Sequence, residues 1–123
     1  MRNSTVSLVV IATILLAFPA LAHHSDYNYQ TEEWALLQGT VQEVHWVNPH
    51  AWIYLDVTDA GSQSGTWAVE GAGVTELRRN GWAEDSVEVG DEISVRCLPL
   101  RSGARGCLLG FIEMDDGSWR EFD

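Results

Sequence analysis

Four histidines carry the clearest capacity for chemistry in this 123-residue chain, and all lie in its first half: His23, His24, His45 and His50. An Asn-Pro pair, a common turn signal, lies between the last two. Because a turn reverses the chain, we expect His45 and His50 to approach each other. Imidazole nitrogens are frequent ligands of copper and zinc, so this pattern predicts a candidate metal site.

The amino-terminal sequence determines whether the first two histidines can take part. Arg2 precedes a nearly continuous apolar run from Leu8 to Leu21, which ends in the small-x-small pattern Ala20-Leu21-Ala22 that signal peptidase accepts. The run is too short to span a bilayer comfortably, and Pro19 interrupts its end. We therefore predict that residues 1–22 are a cleavable signal peptide, that no stable membrane anchor remains, and that the protein is periplasmic or secreted.

Cleavage after Ala22 would make His23 the first residue of the mature chain. The α-amine and the ring Nδ1 of a terminal histidine can chelate one metal ion, and an imidazole from His24, His45 or His50 would complete a three-nitrogen set. Such ligands favour Cu(II) and also accept zinc. The alternative interpretation is a solvated polar terminus, with His45 and His50 as surface residues. The sequence leaves both interpretations open and selects no ligand set.

Alternating apolar and polar residues predict β-strands in the rest of the chain. Leu37, Gly39 and Val41 alternate with polar residues, but the apolar positions then shift by one residue. A β-bulge near Glu43 would account for this shift. The next run, from Ala51 to Thr58, alternates without interruption. Both runs therefore predict strands with one face in the core.

The order of the predicted elements indicates a small barrel. A third strand is expected at Thr66–Glu70, then a helix over Val74–Asn80 that Gly81 ends, then two more strands, the second followed by a hairpin turn. This is the order of an OB-type barrel. We therefore predict an all-β fold with one short helix: an OB-like five-stranded barrel over residues 35–123, preceded by an extended arm over residues 23–34.

The charge balance narrows the class of partner. Eighteen Asp and Glu residues face seven Arg, giving a formal net charge of −11. Such a surface repels phosphate backbones, so we expect no nucleic-acid partner. No nucleophile motif or phosphate-binding loop is found, so we expect no enzyme activity. The predicted function is an exported binding module for an unknown protein or small-molecule ligand, and a copper-binding periplasmic protein is the alternative.

The candidate ligand-binding residues outside the histidines are Trp46, Asn48, Trp52, Trp67 and Glu70. The tryptophans are expected either to form a stacking surface on the barrel or to pack in its core and rim. Glu70 ends an apolar strand beside glycines, where a carboxylate is expected to be partly buried. It would then either cap the following helix or line a pocket, and capping is the favoured interpretation.

Cys97 and Cys107 are the only cysteines. In an oxidising compartment an even pair predicts a disulfide, and the turn-rich segment between them is typical of a hairpin loop. A thiolate metal site is the alternative, but its spacing does not match a Cys-x-x-Cys clip.

Four segments together resemble a known family: Ala22-His23-His24-Ser25, His45-Trp46-Val47-Asn48-Pro49-His50-Ala51-Trp52, Trp67-Ala68-Val69-Glu70-Gly71 and Gly90-Asp91. The family is an uncharacterised one of small secreted bacterial proteins, with a His-His-Ser start after the signal peptide and an Asn-Pro-His turn. The resemblance covers nearly the whole mature chain and implies an exported OB-like barrel. It implies no catalytic residues, and the predicted disulfide rests on compartment and spacing alone.

Overall fold

The structure is a computed structural model that describes residues 28–58 and 63–123. The predicted signal peptide, His23 and His24 lie outside the described residues. No helix in the described part of the chain is long and apolar enough to cross a membrane.

Six strands and one helix make up the described ranges: β1 Ala35–His45, β2 Trp52–Val57, β3 Gly65–Glu70, α1 Val74–Arg79, β4 Glu92–Pro99, β5 Gly106–Glu113 and β6 Trp119–Glu121. The strand order is β3-β2-β1-β4-β5-β6, and β3 also pairs with β5 in parallel. That last pairing closes the first five strands into a barrel. The predicted OB-like five-stranded barrel is confirmed, and β6 adds a short sixth strand beside β5.

The predicted bulge in β1 is also confirmed. Val41 pairs with Leu55, but the next paired residue, Glu43, lies opposite Tyr54, so β1 contains one extra residue at this point. Side chains alternate between the two faces of a strand, so one extra residue reverses the alternation. The bulge thereby returns Val44 to the core face after Val41.

The core follows the alternation of the strands. In β2, Ile53, Leu55 and Val57 are buried, while the residues between them are half-buried. Trp82 and Phe122 close one end of the barrel, with ring centroids 4.8 Å apart. Thus the residues after α1 and after β6 meet over the core.

A disulfide joins β4 to β5. Cys97 and Cys107 are fully buried, and their Cα atoms lie 5.6 Å apart. The described residues contain no free cysteine. The end of the arm lies against the loop that this disulfide closes. The backbone of residues 28–30 forms hydrogen bonds with the backbone of residues 99 and 101.

Candidate functional site

The Asn-Pro turn between β1 and β2 packs against the beginning of α1. The Asn48–Pro49 peptide bond is cis. The Oδ1 atom of Asn48 accepts a hydrogen bond from the Thr75 backbone N–H at 3.2 Å, and its Nδ2 donates to Thr75 Oγ1 at 3.2 Å. Gly73 makes this contact possible, since a Cβ there would lie 2.4 Å from the Pro49 carbonyl oxygen. Asn48 therefore satisfies an amide of the first helical turn, and the turn is held against the helix.

His50 follows this turn and lies beside the end of β3. Its Nδ1 atom is 3.3 Å from the Gly71 carbonyl oxygen and 3.4 Å from Oε1 of Glu70. The contact with Gly71 is a hydrogen bond, and because a carbonyl oxygen can only accept, Nδ1 is its donor; the contact with Glu70 is an ion-pair contact that favours the same proton position. In the neutral ring Nε2 then has a free lone pair, and the side chain is 40% exposed. The site thus presents an electron-pair donor at the surface.

Glu70 is the only buried charged residue in the described ranges, with 5% of its surface exposed. One carboxylate oxygen faces His50, and the other accepts a hydrogen bond from the hydroxyl of Tyr29, which is also buried. Burial of a carboxylate is unfavourable unless its oxygens have partners, and here both do. The three side chains form one chain of polar contacts from the arm to the surface.

A shallow cleft of about 290 Å³ lies next to this chain of contacts. Its lining includes His50, the apolar residues Leu108 and Phe122, and the acidic residues Glu121 and Asp123. The cleft therefore combines one imidazole and two acidic residues with apolar side chains. Pockets that bind small ligands commonly combine apolar walls with a few polar groups that fix the orientation of the ligand.

The family of unknown function named DUF6152 matches residues 11–109. The chain belongs to this family. No curated protein and no solved structure matches the DUF6152 chain. The matched range includes Tyr29, His50 and Glu70, together with both cysteines, and it ends within β5. The resemblance inferred from the sequence is thus confirmed at the level of the family.

The two described histidines of this DUF6152 protein have different partners. His45 Nε2 lies 3.0 Å from Oε2 of Glu43, and its ring packs on Tyr54 at a centroid distance of 5.1 Å. His50 instead contacts Glu70 and Gly71. Among residues 28–58 and 63–123, no group of three or more His, Cys, Asp or Glu side chains is placed to hold a metal ion.

The predicted ligand-binding tryptophans do not share one surface. Trp67 is 7% exposed, belongs to the core, and donates from Nε1 to the Gln63 carbonyl oxygen at 2.7 Å. Trp46 and Trp52 are half-buried. The indole N–H of Trp46 is buried and has no hydrogen-bond partner within the described ranges. Trp67 therefore has little surface to offer a ligand.

Two roles differ from those that the sequence favours. Glu70 does not cap the helix: its carboxylate contacts Tyr29 and His50, and Asn48 provides the helix contact instead. Tyr29 was not expected in the site. Its partner lies 41 residues away in the sequence, and the arm has no periodicity that would indicate a buried hydroxyl.

Proposed function

We propose that this DUF6152 protein is an exported, non-enzymatic binding module whose ligand contacts His50 in the adjoining cleft. The observation that carries the proposal is the pair of acceptor oxygens at Nδ1 of His50. Because these oxygens favour the proton on Nδ1, Nε2 of this 40% exposed side chain offers a lone pair. The ligand must then be an electron-pair acceptor, either a hydrogen-bond donor group or a metal ion.

Two features support export. The cysteines lie at disulfide distance, and stable disulfides are typical of oxidising compartments. The sequence contains an apolar run from Leu8 to Leu21 that closes in Ala20-Leu21-Ala22, as in a signal peptide. Together they favour a periplasmic or secreted protein.

The surroundings of His50 favour binding over catalysis. A serine, cysteine or threonine nucleophile is activated by a base within hydrogen-bonding distance. The described partners of the His50 ring are a carbonyl and a carboxylate oxygen, and both cysteines are in the disulfide. The described contacts of His50 therefore orient the imidazole and pair it with no hydroxyl or thiol.

Copper binding is the second candidate, and one observation favours it. A histidine that ligates a metal usually donates its other ring N–H to a carboxylate or a backbone carbonyl, as His50 is placed to do. The remaining ligands would come from the processed terminus, through His23 or His24, with His45 as a further candidate. His23 precedes Tyr29 by six residues, a length that spans at most about 20 Å when extended. Since Tyr29 contacts Glu70 directly, this span is sufficient for the terminus to reach His50.

The copper proposal is tested with the mature chain beginning at His23. Cu(II) is titrated into this protein, into a version with one extra residue before His23, and into the variants His50→Ala and His45→Ala. We expect one-to-one binding that is weakened by the extension and by His50→Ala, and the His45→Ala titration shows whether His45 supplies a further ligand. Binding that is indifferent to both the extension and His50→Ala would remove copper from consideration.

The general binding proposal has a separate test. ¹⁵N-labelled protein is mixed with small hydrogen-bond donors, such as primary amides and alkylammonium salts. We expect the amide shifts to change around His50, Gly71 and Leu108 and to be lost in His50→Ala. Shift changes confined to other faces of the barrel, or none with any probe, would contradict the assignment of this cleft.

A further inference from the structure

The end of the arm is fixed to the disulfide-closed loop by backbone hydrogen bonds. The Gln30 N–H donates to the Pro99 carbonyl oxygen at 2.8 Å, and the Arg101 N–H donates to the Asn28 carbonyl oxygen at 2.9 Å. The Arg101 side chain also donates from Nε to the Tyr29 carbonyl oxygen at 2.8 Å. These bonds hold the backbone on both sides of Tyr29, so the direction of its side chain is determined by how the arm docks.

The Tyr29 hydroxyl in turn determines how the Glu70 carboxylate is rotated. The terminal torsion of a glutamate is broad, so a carboxylate with a single partner can turn easily. Here Tyr29 engages Oε2, which leaves Oε1 facing Nδ1 of His50. The Tyr29 hydrogen bond on one oxygen and the ion-pair contact with His50 on the other therefore restrict rotation of the carboxylate.

We infer that Tyr29 is a positioning residue for His50, acting through Glu70. When the arm is docked, the Glu70 carboxylate adds to the Gly71 carbonyl oxygen in favouring the tautomer that has the proton on Nδ1. This inference rests on the proposed function, in which Nε2 of His50 contacts the ligand. Coupling between two sites is reciprocal, so a ligand on Nε2 must also stabilise the docked arm.

Tyr29→Phe is the direct test, because it removes the hydroxyl and keeps the ring. The His50 tautomer is read from the ring ¹⁵N chemical shifts of the metal-free mature protein, at a pH where the ring is neutral. We expect the wild-type ring to carry its proton mainly on Nδ1, and the ratio of the Nδ1–H to the Nε2–H form to fall about fivefold in Tyr29→Phe. Tyr54→Phe is the matched control and should leave this ratio unchanged, because Tyr54 packs against the other histidine.

Glu70→Gln provides a second variant of nearly the same shape. If the glutamine oxygen accepts from Tyr29, its NH₂ group faces Nδ1 of His50 and favours an unprotonated Nδ1, whereas the Gly71 carbonyl oxygen at 3.3 Å still favours a protonated one. We expect this variant to lower the ratio of the Nδ1–H to the Nε2–H form below that of the wild type. Circular dichroism establishes that each variant is folded.

The inference is overturned if the wild-type ring carries its proton mainly on Nε2, a measurement that needs no variant. It is also overturned if folded Tyr29→Phe and Glu70→Gln both retain the wild-type ratio. All of these measurements are made without ligand. A failed copper titration or probe screen would therefore count against the proposed function alone.

Discussion

Replacing Gly73 with alanine should displace the turn that carries His50. Gly73 has φ −71° and ψ 160°, an extended conformation that any residue can adopt. The difficulty is contact: a Cβ would lie 2.4 Å from the Pro49 carbonyl oxygen and 2.7 Å from Oδ1 of Asn48. Ordinary van der Waals contact begins near 3.4 Å, so the turn must retreat by about 1 Å.

That movement should break the contact between the turn and the helix. The two hydrogen bonds between Asn48 and Thr75 are each 3.2 Å long and would exceed hydrogen-bonding distance after such a shift. Each exposed bond contributes about 0.5–1.5 kcal/mol, and overpacking adds about 1–3 kcal/mol. We expect Gly73→Ala to lower the free energy of unfolding by roughly 2–6 kcal/mol.

Urea unfolding followed by tryptophan fluorescence measures this loss. Asn48→Ala is the control, because it removes both hydrogen bonds without displacing the turn. It should lower the free energy of unfolding by about 1 kcal/mol or more less than Gly73→Ala does. Where the protein binds Cu(II), Gly73→Ala should also weaken binding about 10–100-fold, since His50 moves away from Glu70. If the free energy of unfolding of Gly73→Ala lies within about 0.5 kcal/mol of the wild-type value, the close approach of the turn to the helix is not needed for stability.

Two other predictions concern the disulfide and a surface turn. Breaking the Cys97–Cys107 disulfide, which closes a loop of sequence separation 10, should lower the free energy of unfolding by about 2.7 kcal/mol. A reductant should then shift the urea midpoint of the wild type but not of a double alanine variant, and equal sensitivity would contradict the assignment. At Asp116, hydrogen bonds from the Ser118 side chain and backbone lower the carboxyl pKa, so this group stabilises the fold above its unfolded pKa and loses that effect as pH falls through its folded pKa. NMR titration of Ser118→Ala should show the pKa of Asp116 rising towards 3.8, and an unchanged pKa would exclude the side-chain hydrogen bond as its main cause.

Local sequence patterns were sufficient for the elements of the barrel. The interrupted alternation in β1 located the bulge next to Glu43, and the helix was expected one residue longer than it is. Gly81, predicted to end the helix, has φ +83°, a conformation that favours glycine. The alternation of β3 also predicts that Trp67 is buried, because Trp67 lies two residues before Val69 and therefore on the same, buried face. Residue type alone does not predict this, since tryptophan occurs on both faces of strands.

The arrangement of the site depends on contacts that are distant in the sequence. We expected the Asn-Pro turn to bring His45 and His50 together. In the structure His45 pairs with Trp52 at the end of the β1–β2 ladder, so His50 lies beyond the paired residues. The turn packs against α1, a helix that begins more than twenty residues later in the sequence. His50, which comes directly after the turn, therefore lies beside Glu70. No local pattern encodes that contact.

Glu70 lies at the seam where β3 meets β5, paired with Leu108 in the parallel contact that closes the barrel. A buried carboxylate is an unfavourable choice for such a seam, since an apolar side chain of similar volume usually gives equal or greater stability. Its two partners come from independent parts of the fold: Tyr29 from the arm on the disulfide-closed loop, and His50 from the turn on the helix. Closing the barrel requires none of these three groups. The buried carboxylate is therefore better explained by the orientation that it gives to His50 than by the stability of the barrel.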